Sequence, residues 1–180
     1  MDPRGFSYLD ISDRGVVRSF WAILWSAPPI GLSWLWWRQS YLASMPPEVS
    51  VGFAFFFRLG LVEAANWLVP LVLAGLLLLV FNFEEKFAPI VVTTNWLGLP
   101  LSYLNGLLVA LIAFVPGTDG LIALVWIALM MAVVFALARI LRMICGPHPV
   151  FVGALTLVLM VPSMVLTDFL QRFLGIYPPG

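Results

Sequence analysis

Charge is what this chain has least of. Nine Lys and Arg and nine Asp and Glu make only 10% of the 180 residues, against 62% apolar ones, and mean hydropathy is +1.04. A soluble domain carries roughly 25% charged residues. So few charges could not cover a water-exposed surface, which excludes a free globular domain and points to lipid as the solvent. Net charge is zero and no Lys/Arg cluster occurs, so a nucleic-acid footprint is excluded. A single cysteine, Cys145, excludes an intrachain disulfide. With one histidine, His148, it cannot supply the four N or S ligands of a closed zinc site. No glycine-rich phosphate loop occurs. Ser163 and Asp168 have no histidine on a neighbouring turn, so no Ser-based triad is readable. No cofactor, no metal and no enzyme activity are expected.

What is present is a series of long uncharged stretches. A membrane-crossing helix needs about 20 mainly apolar residues, at ~1.5 Å each, to cross a core ~30 Å thick. Arg18 to Arg38 encloses no charge (SFWAILWSAPPIGLSWLWW), and Arg58 to Glu84 encloses only Glu63. From Phe87 to Ala138 the only charge is Asp119, and VPGTDG (115–120) divides that run. After Arg142 no acid or base other than His148 occurs until Asp168. The sequence therefore predicts an all-α, polytopic transmembrane helical bundle. It has a tail at 1–17, five spans near 18–37, 59–82, 88–115, 120–142 and 149–170, and a short C-terminal tail at 173–180.

Two segments carry alternatives. Pro28 and Pro29 sit mid-way along the first stretch, where they remove backbone donors. A kinked span, with Ser26 and Ser33 satisfying the freed carbonyls, is one reading; a re-entrant or surface-lying segment is the other. The stretch 41–57 combines a PPE turn with Phe53, Phe55, Phe56 and Phe57, which suits a loop and an interfacial segment before the second span. The polar, acidic N-terminus with no A-x-A-like site reads as a cytosolic tail, not a signal peptide. Trp34, Trp36, Trp37 and Arg38 read as the interfacial anchor of a retained first helix. With the N-terminus inside, Arg4, Arg14, Arg18, Lys86, Arg139 and Arg142 face the cytoplasm and Arg38, Arg58 and Arg172 the far side. That bias predicts N-in and C-out, in a membrane expected to be the bacterial cytoplasmic (inner) one.

Polar groups at membrane depth are the candidate functional residues. Apart from Asp168 at the very end of the fifth, Glu63 is the one carboxylate inside an expected span, and Asn66, three residues on, shares its face. A proton or cation site is one reading; a side chain that reaches the interface or pairs with Arg58 is the other. Asn95 and Asn105 flank Pro100 in the third expected span. In the same span Ser102, Gly106 and Ala110 recur every four residues, and Ala132 and Ala136 repeat that spacing in the fourth. Such small-residue spacing predicts a close helix-packing seam. His148 in GPHP reads as a loop histidine, and Cys145, near Arg139 and Arg142, as an inert juxtamembrane thiol or a site of acylation.

The segments FEEKFAPIVVTTNWLGLPLSYLNGLLVALIAF (83–114), with Trp96 and Pro100, and ALMMAVVFALARILRMICGPHPVFVGALTLVLMVP (128–162) resemble bacterial members of the Yip family. Those are five-span membrane proteins whose eukaryotic relatives work with Rab-type GTPases in vesicle trafficking. The resemblance covers about half the chain, rests on spacing and topology, and implies no enzyme activity. The expected partners are the lipid bilayer and other membrane proteins, or further copies of this chain, with no nucleic acid. The reading the sequence favours is a non-enzymatic scaffold, assembly factor or accessory subunit of a membrane system. A small oligomeric transporter or channel subunit, with a polar path along Glu63, Asn66, Asn95 and Asn105, is the alternative.

Overall fold

The computed structural model describes residues 10–115 and 117–177, and these are helical, with no strand among them. Helix α1 (Asp13–Ser19) starts where Ser12, in extended conformation, accepts a hydrogen bond from the Gly15 N–H; Asp13 lies in its first turn and Arg18 in its last. Both charges suit the helix dipole. Helices α2 (Trp21–Trp25) and α3 (Ala27–Ala43) follow, separated by single residues, Phe20 and Ser26.

The break at Ser26 has a chemical cause. Pro28 and Pro29 have no N–H to return to the carbonyls four residues earlier, those of Leu24 and Trp25. In the first turn of a new helix that deficiency is harmless, which is where both prolines fall. The freed Trp25 carbonyl accepts instead from the Tyr103 hydroxyl, at 3.1 Å. This corrects the expectation that Ser26 and Ser33 would serve the freed carbonyls. Ser33 donates to the Pro29 carbonyl at 3.1 Å, and Ser26 Oγ is buried with no partner among the described residues.

Four longer helices complete the chain: α4 (Phe53–Val80), α5 (Phe87–Phe114), α6 (Asp119–Cys145) and α7 (Pro149–Phe173). A single 3₁₀ turn, Glu84–Lys86, leads into α5. Gly146, at φ 82°, turns the chain between α6 and α7 in a conformation that glycine adopts without strain. The segments Phe53–Val80, Glu84–Phe114, Gly120–Cys145 and Pro149–Phe173 are each long and apolar enough to cross a membrane. Only 11–28% of their apolar windows is buried inside the molecule, so most of that surface faces lipid or a partner.

Helix α4 starts at Phe53, not near residue 59. Phe55, Leu59 and Val62 recur at helical spacing and are buried together with Ile176; the Phe55 ring lies 5.2 Å from that of Tyr41. The aromatic run is thus the first part of a 28-residue helix. At ~1.5 Å per residue α4 is ~42 Å long, so it extends beyond a ~30 Å core.

Contacts fix the relative directions. Helices α4 and α7 are antiparallel: Phe81 meets Phe151 (5.2 Å between rings), Asn66 bonds Thr167 (2.8 Å), and Arg58 bonds the Leu174 carbonyl (2.9 Å). Helix α5 is antiparallel to α4, with Phe87 over Gly75 and Trp67 over Gly98. The N-terminal helices run parallel to α5: Asn95 bonds Ser19 (2.9 Å), Tyr103 bonds Trp25, and Pro29 packs on Gly106. They finish at the end of α7, where Trp37 Nε1 donates to the Ile176 carbonyl (2.9 Å) and the Tyr41 hydroxyl to that of Gly175 (3.2 Å).

The apolar core is therefore divided. Leu78 of α4, Ile90 of α5, Leu141 and Cys145 of α6, and Phe151 and Leu155 of α7 form a cluster at one end. Phe55, Leu59 and Val62 of α4 close on Ile176 at the other end, with Trp37 and Tyr41 of α3 against them. The middle of the bundle is not filled.

Candidate functional site

Between the two clusters lies a cavity of about 530 Å³, walled by α3, α4, α5, α6 and α7. All four candidate polar residues, Glu63, Asn66, Asn95 and Asn105, line it. On α4 the relevant face is read directly from the chain. Glu63, Asn66, Trp67 and Pro70 follow at i, i+3, i+4 and i+7, one stripe of a helix.

Glu63 Oε1 accepts from the Trp67 indole N–H at 3.3 Å, a long bond that leaves much of the carboxylate free for another donor. Asn66 Nδ2 donates to Thr167 Oγ1 at 2.8 Å, and that hydroxyl donates on to the Ser163 carbonyl at 2.7 Å. The arrangement orients the Asn66 amide. Its Oδ1 is buried and has no partner among the described residues. Pro70 adds to the acceptor surplus, since it has no N–H for the Asn66 carbonyl. Among the described residues lining the cavity, Glu63 is the only ionisable one.

The two asparagines of α5 differ. Asn95 is buried and donates to Ser19 Oγ, tying α5 to α1. Asn105 is exposed and borders a second cavity of about 460 Å³ between α5 and α6, which also shares Trp126 with the first. The small residues are spread over different surroundings. Gly106 is buried, and a Cβ there would lie 2.7 Å from the Pro29 Cβ, so its close approach is to α3. Ser102 and Ala110 are half-buried, Ala136 is half-buried and Ala132 is exposed. Ser102 donates to the Leu99 carbonyl at 2.7 Å and lines the main cavity.

Several alternatives close at this level. Arg58 does not answer Glu63; its guanidinium donates to the Leu174 carbonyl. Cys145 is 4% exposed within the apolar cluster, which corrects the acylation alternative, since a packed thiol offers no nucleophile to an acyl donor. His148 is exposed, its ring 5.7 Å from that of Phe83. Asp168 forms an exposed ion pair with Arg172 at 3.0 Å. No group of three or more His, Cys, Asp and Glu able to hold a metal ion occurs among the described residues.

Sequence reasoning missed the aromatic and hydroxyl parts of the site. Trp67 was legible as the i+4 neighbour of Glu63. Trp34, Trp126 and Thr167 join through tertiary packing, and no spacing along the chain signals them. No protein-family model matches the chain, and no curated protein or solved structure matches it.

Proposed function

We propose that this chain is a carrier-type membrane protein that binds a solute in the mid-bundle cavity around Glu63. The observation that carries the reading is that the single ionisable group of the cavity wall stands with three amides, Asn66, Asn95 and Asn105, around one unfilled space. A carboxylate at membrane depth is expensive and is kept where it meets a substrate, an ion or a proton. Pro70 and Pro100 lie inside the continuous helices α4 and α5, where each leaves one backbone carbonyl without its helical N–H.

The proposal includes five crossings. Ser19 to Tyr41 is 23 residues, ~33 Å from first to last at helical rise. That stretch keeps step with α5 from Asn95 to Gly106 before reaching the end of α7. A passage from one end of the bundle to the other, broken at Ser26, is the simplest account. Five passes are also what the resemblance to the Yip family implies. With Lys86, Arg139 and Arg142 on one side and Arg38, Arg58 and Arg172 on the other, N-in and C-out in a bacterial cytoplasmic membrane follows. A C-terminal alkaline phosphatase fusion tests it: activity supports C-out, and a well-expressed inactive fusion contradicts the combination of N-in with five crossings.

Proteoliposomes test the carrier function. A panel of cationic, neutral and anionic solutes is presented, and uptake is followed for the wild type and Glu63→Gln. Wild type should move at least one class above the lipid background, and Glu63→Gln should fall to that background. Identical rates for both proteins across the panel would sink the proposal and return the chain to the scaffold or accessory-subunit reading.

A further inference from the structure

Resting on the carrier reading, we infer that the solute is a lipophilic organic monocation, such as an aryl- or alkyl-substituted ammonium or phosphonium, held by Glu63 between tryptophan faces. The cavity supplies one negative group, acceptor atoms and large apolar walls. Among the described residues, Glu63 accepts only the long Trp67 bond, and the buried Asn66 Oδ1 has no partner. Both favour a ligand that brings positive charge or N–H donors.

Trp34, Trp67 and Trp126 come to this one space from α3, α4 and α6. Indole faces attract cations through the ring quadrupole, more strongly when water is excluded. Met130, Met160 and Met164 add flexible, polarisable wall, which adapts to ligands of differing outline. At about 530 Å³ the space suits a drug-sized molecule and far exceeds the need of a bare ion.

Other solute classes fit less well. A hard metal cation takes about six or more oxygen ligands gathered at one point; here a single carboxylate is joined only by amide and hydroxyl oxygens dispersed over α3, α4, α5 and α7. An anion would meet Glu63 and no basic group among the described lining residues. A sugar would leave most of its hydroxyls against apolar wall without partners.

Glu63 also couples the ligand to protons. Among the described lining residues of α3, α4, α5, α6 and α7, no other side chain is ionisable. A proton and a bound cation compete for the same Glu63 carboxylate. Binding a cation therefore displaces one proton. Affinity rises with pH, by up to about tenfold per unit while the empty site holds the proton, and levels off once the proton is gone.

The test uses the full chain in mild detergent with two probes of similar shape, the tetraphenylphosphonium cation and neutral triphenylphosphine oxide. Binding is read by equilibrium dialysis and proton release in weakly buffered solution. The wild type should bind the cation saturably and release about one proton per cation. Glu63→Gln should weaken binding by more than about tenfold and abolish the release, while Glu63→Asp keeps the release. Equal cation binding by wild type and Glu63→Gln, or wild-type binding that is independent of pH and releases no proton at any pH, overturns the inference. Saturable binding of the neutral oxide alone, lost in Ser163→Phe, leaves the cavity as a solute site and removes the cation. Failure of both probes overturns the lipophilic-cation inference and leaves the carrier reading to the liposome panel.

Discussion

Gly106 offers the most exacting test of the packing. Glycine is the one residue that lets α5 approach α3 this closely. A Cβ built at Gly106 falls 2.7 Å from the Pro29 Cβ and 3.2 Å from the Pro29 Cα. Neither atom can swing aside, because both belong to a proline ring or its backbone. Gly106→Ala must therefore push the helices apart, an overpacking cost of about 1–3 kcal/mol. Alanine also favours a helix over glycine by about 0.8–1 kcal/mol, which partly masks the clash. Gly153 of α7 supplies the control, since a Cβ there meets nothing within 4 Å. Unfolding in mild detergent, titrated with a denaturing one and followed by tryptophan fluorescence, should place Gly106→Ala about 1–3 kcal/mol below Gly153→Ala. If the two variants agree within about 0.5 kcal/mol, the close α3–α5 contact is not as described.

Three further perturbations address separate contacts. Tyr103→Phe removes the donor to the Trp25 carbonyl and should cost about 0.5–1.5 kcal/mol in the same assay. In a Pro29→Ala background, where an N–H returns to that carbonyl, the cost of Tyr103→Phe should shrink; an unchanged cost would contradict the proline-release explanation. Trp37→Phe and Arg58→Leu each free one carbonyl at the end of α7 and should cost about 1 kcal/mol. Both should also speed amide exchange over residues 174–177 (equal exchange in all three proteins counts against the clamp). Cys145, packed against Leu141 and Leu155, should react with maleimide only after denaturation, and rapid labelling of the native protein would refute its burial.

How much was readable in the chain varies by element. Long charge gaps marked α4, α5, α6 and α7 closely, because apolar length follows directly from the bilayer's thickness. The start of α4 was misplaced because Phe53 to Phe57 looks like an interfacial belt until Tyr41 and Ile176 are seen to bury Phe55. Pro28 and Pro29 announced a defect, but its remedy lies 78 positions away in Tyr103, beyond any local pattern.

The same distinction holds at the cavity. Glu63, Asn66, Asn95 and Asn105 stood out because polar residues are rare in apolar runs. A polar path along them was one expectation; the space they share with α3, α6 and α7 could not be read, since it depends on how those helices pack. Trp126 carried no signal, for tryptophan is ordinary in a membrane protein, and Trp34 read as part of an interfacial anchor, whereas it lines the cavity. Small-residue spacing drew attention to Gly106, yet gave no hint that its neighbour is a proline in α3 and not an alanine in α6.

The central claim is that the middle of the bundle is an open, cation-attracting site. Side-chain labelling tests it most directly, in a Cys145→Ala background carrying Ser163→Cys, on the cavity wall, or Leu155→Cys, fully buried in the packed cluster. The reagent is the small cationic ethylammonium methanethiosulfonate, applied to the protein in membranes. The account predicts that Ser163→Cys reacts, that Glu63→Gln slows that reaction, and that Leu155→Cys stays unmodified. Ser163→Cys as inert as Leu155→Cys, or reacting at a rate indifferent to Glu63→Gln, would contradict it.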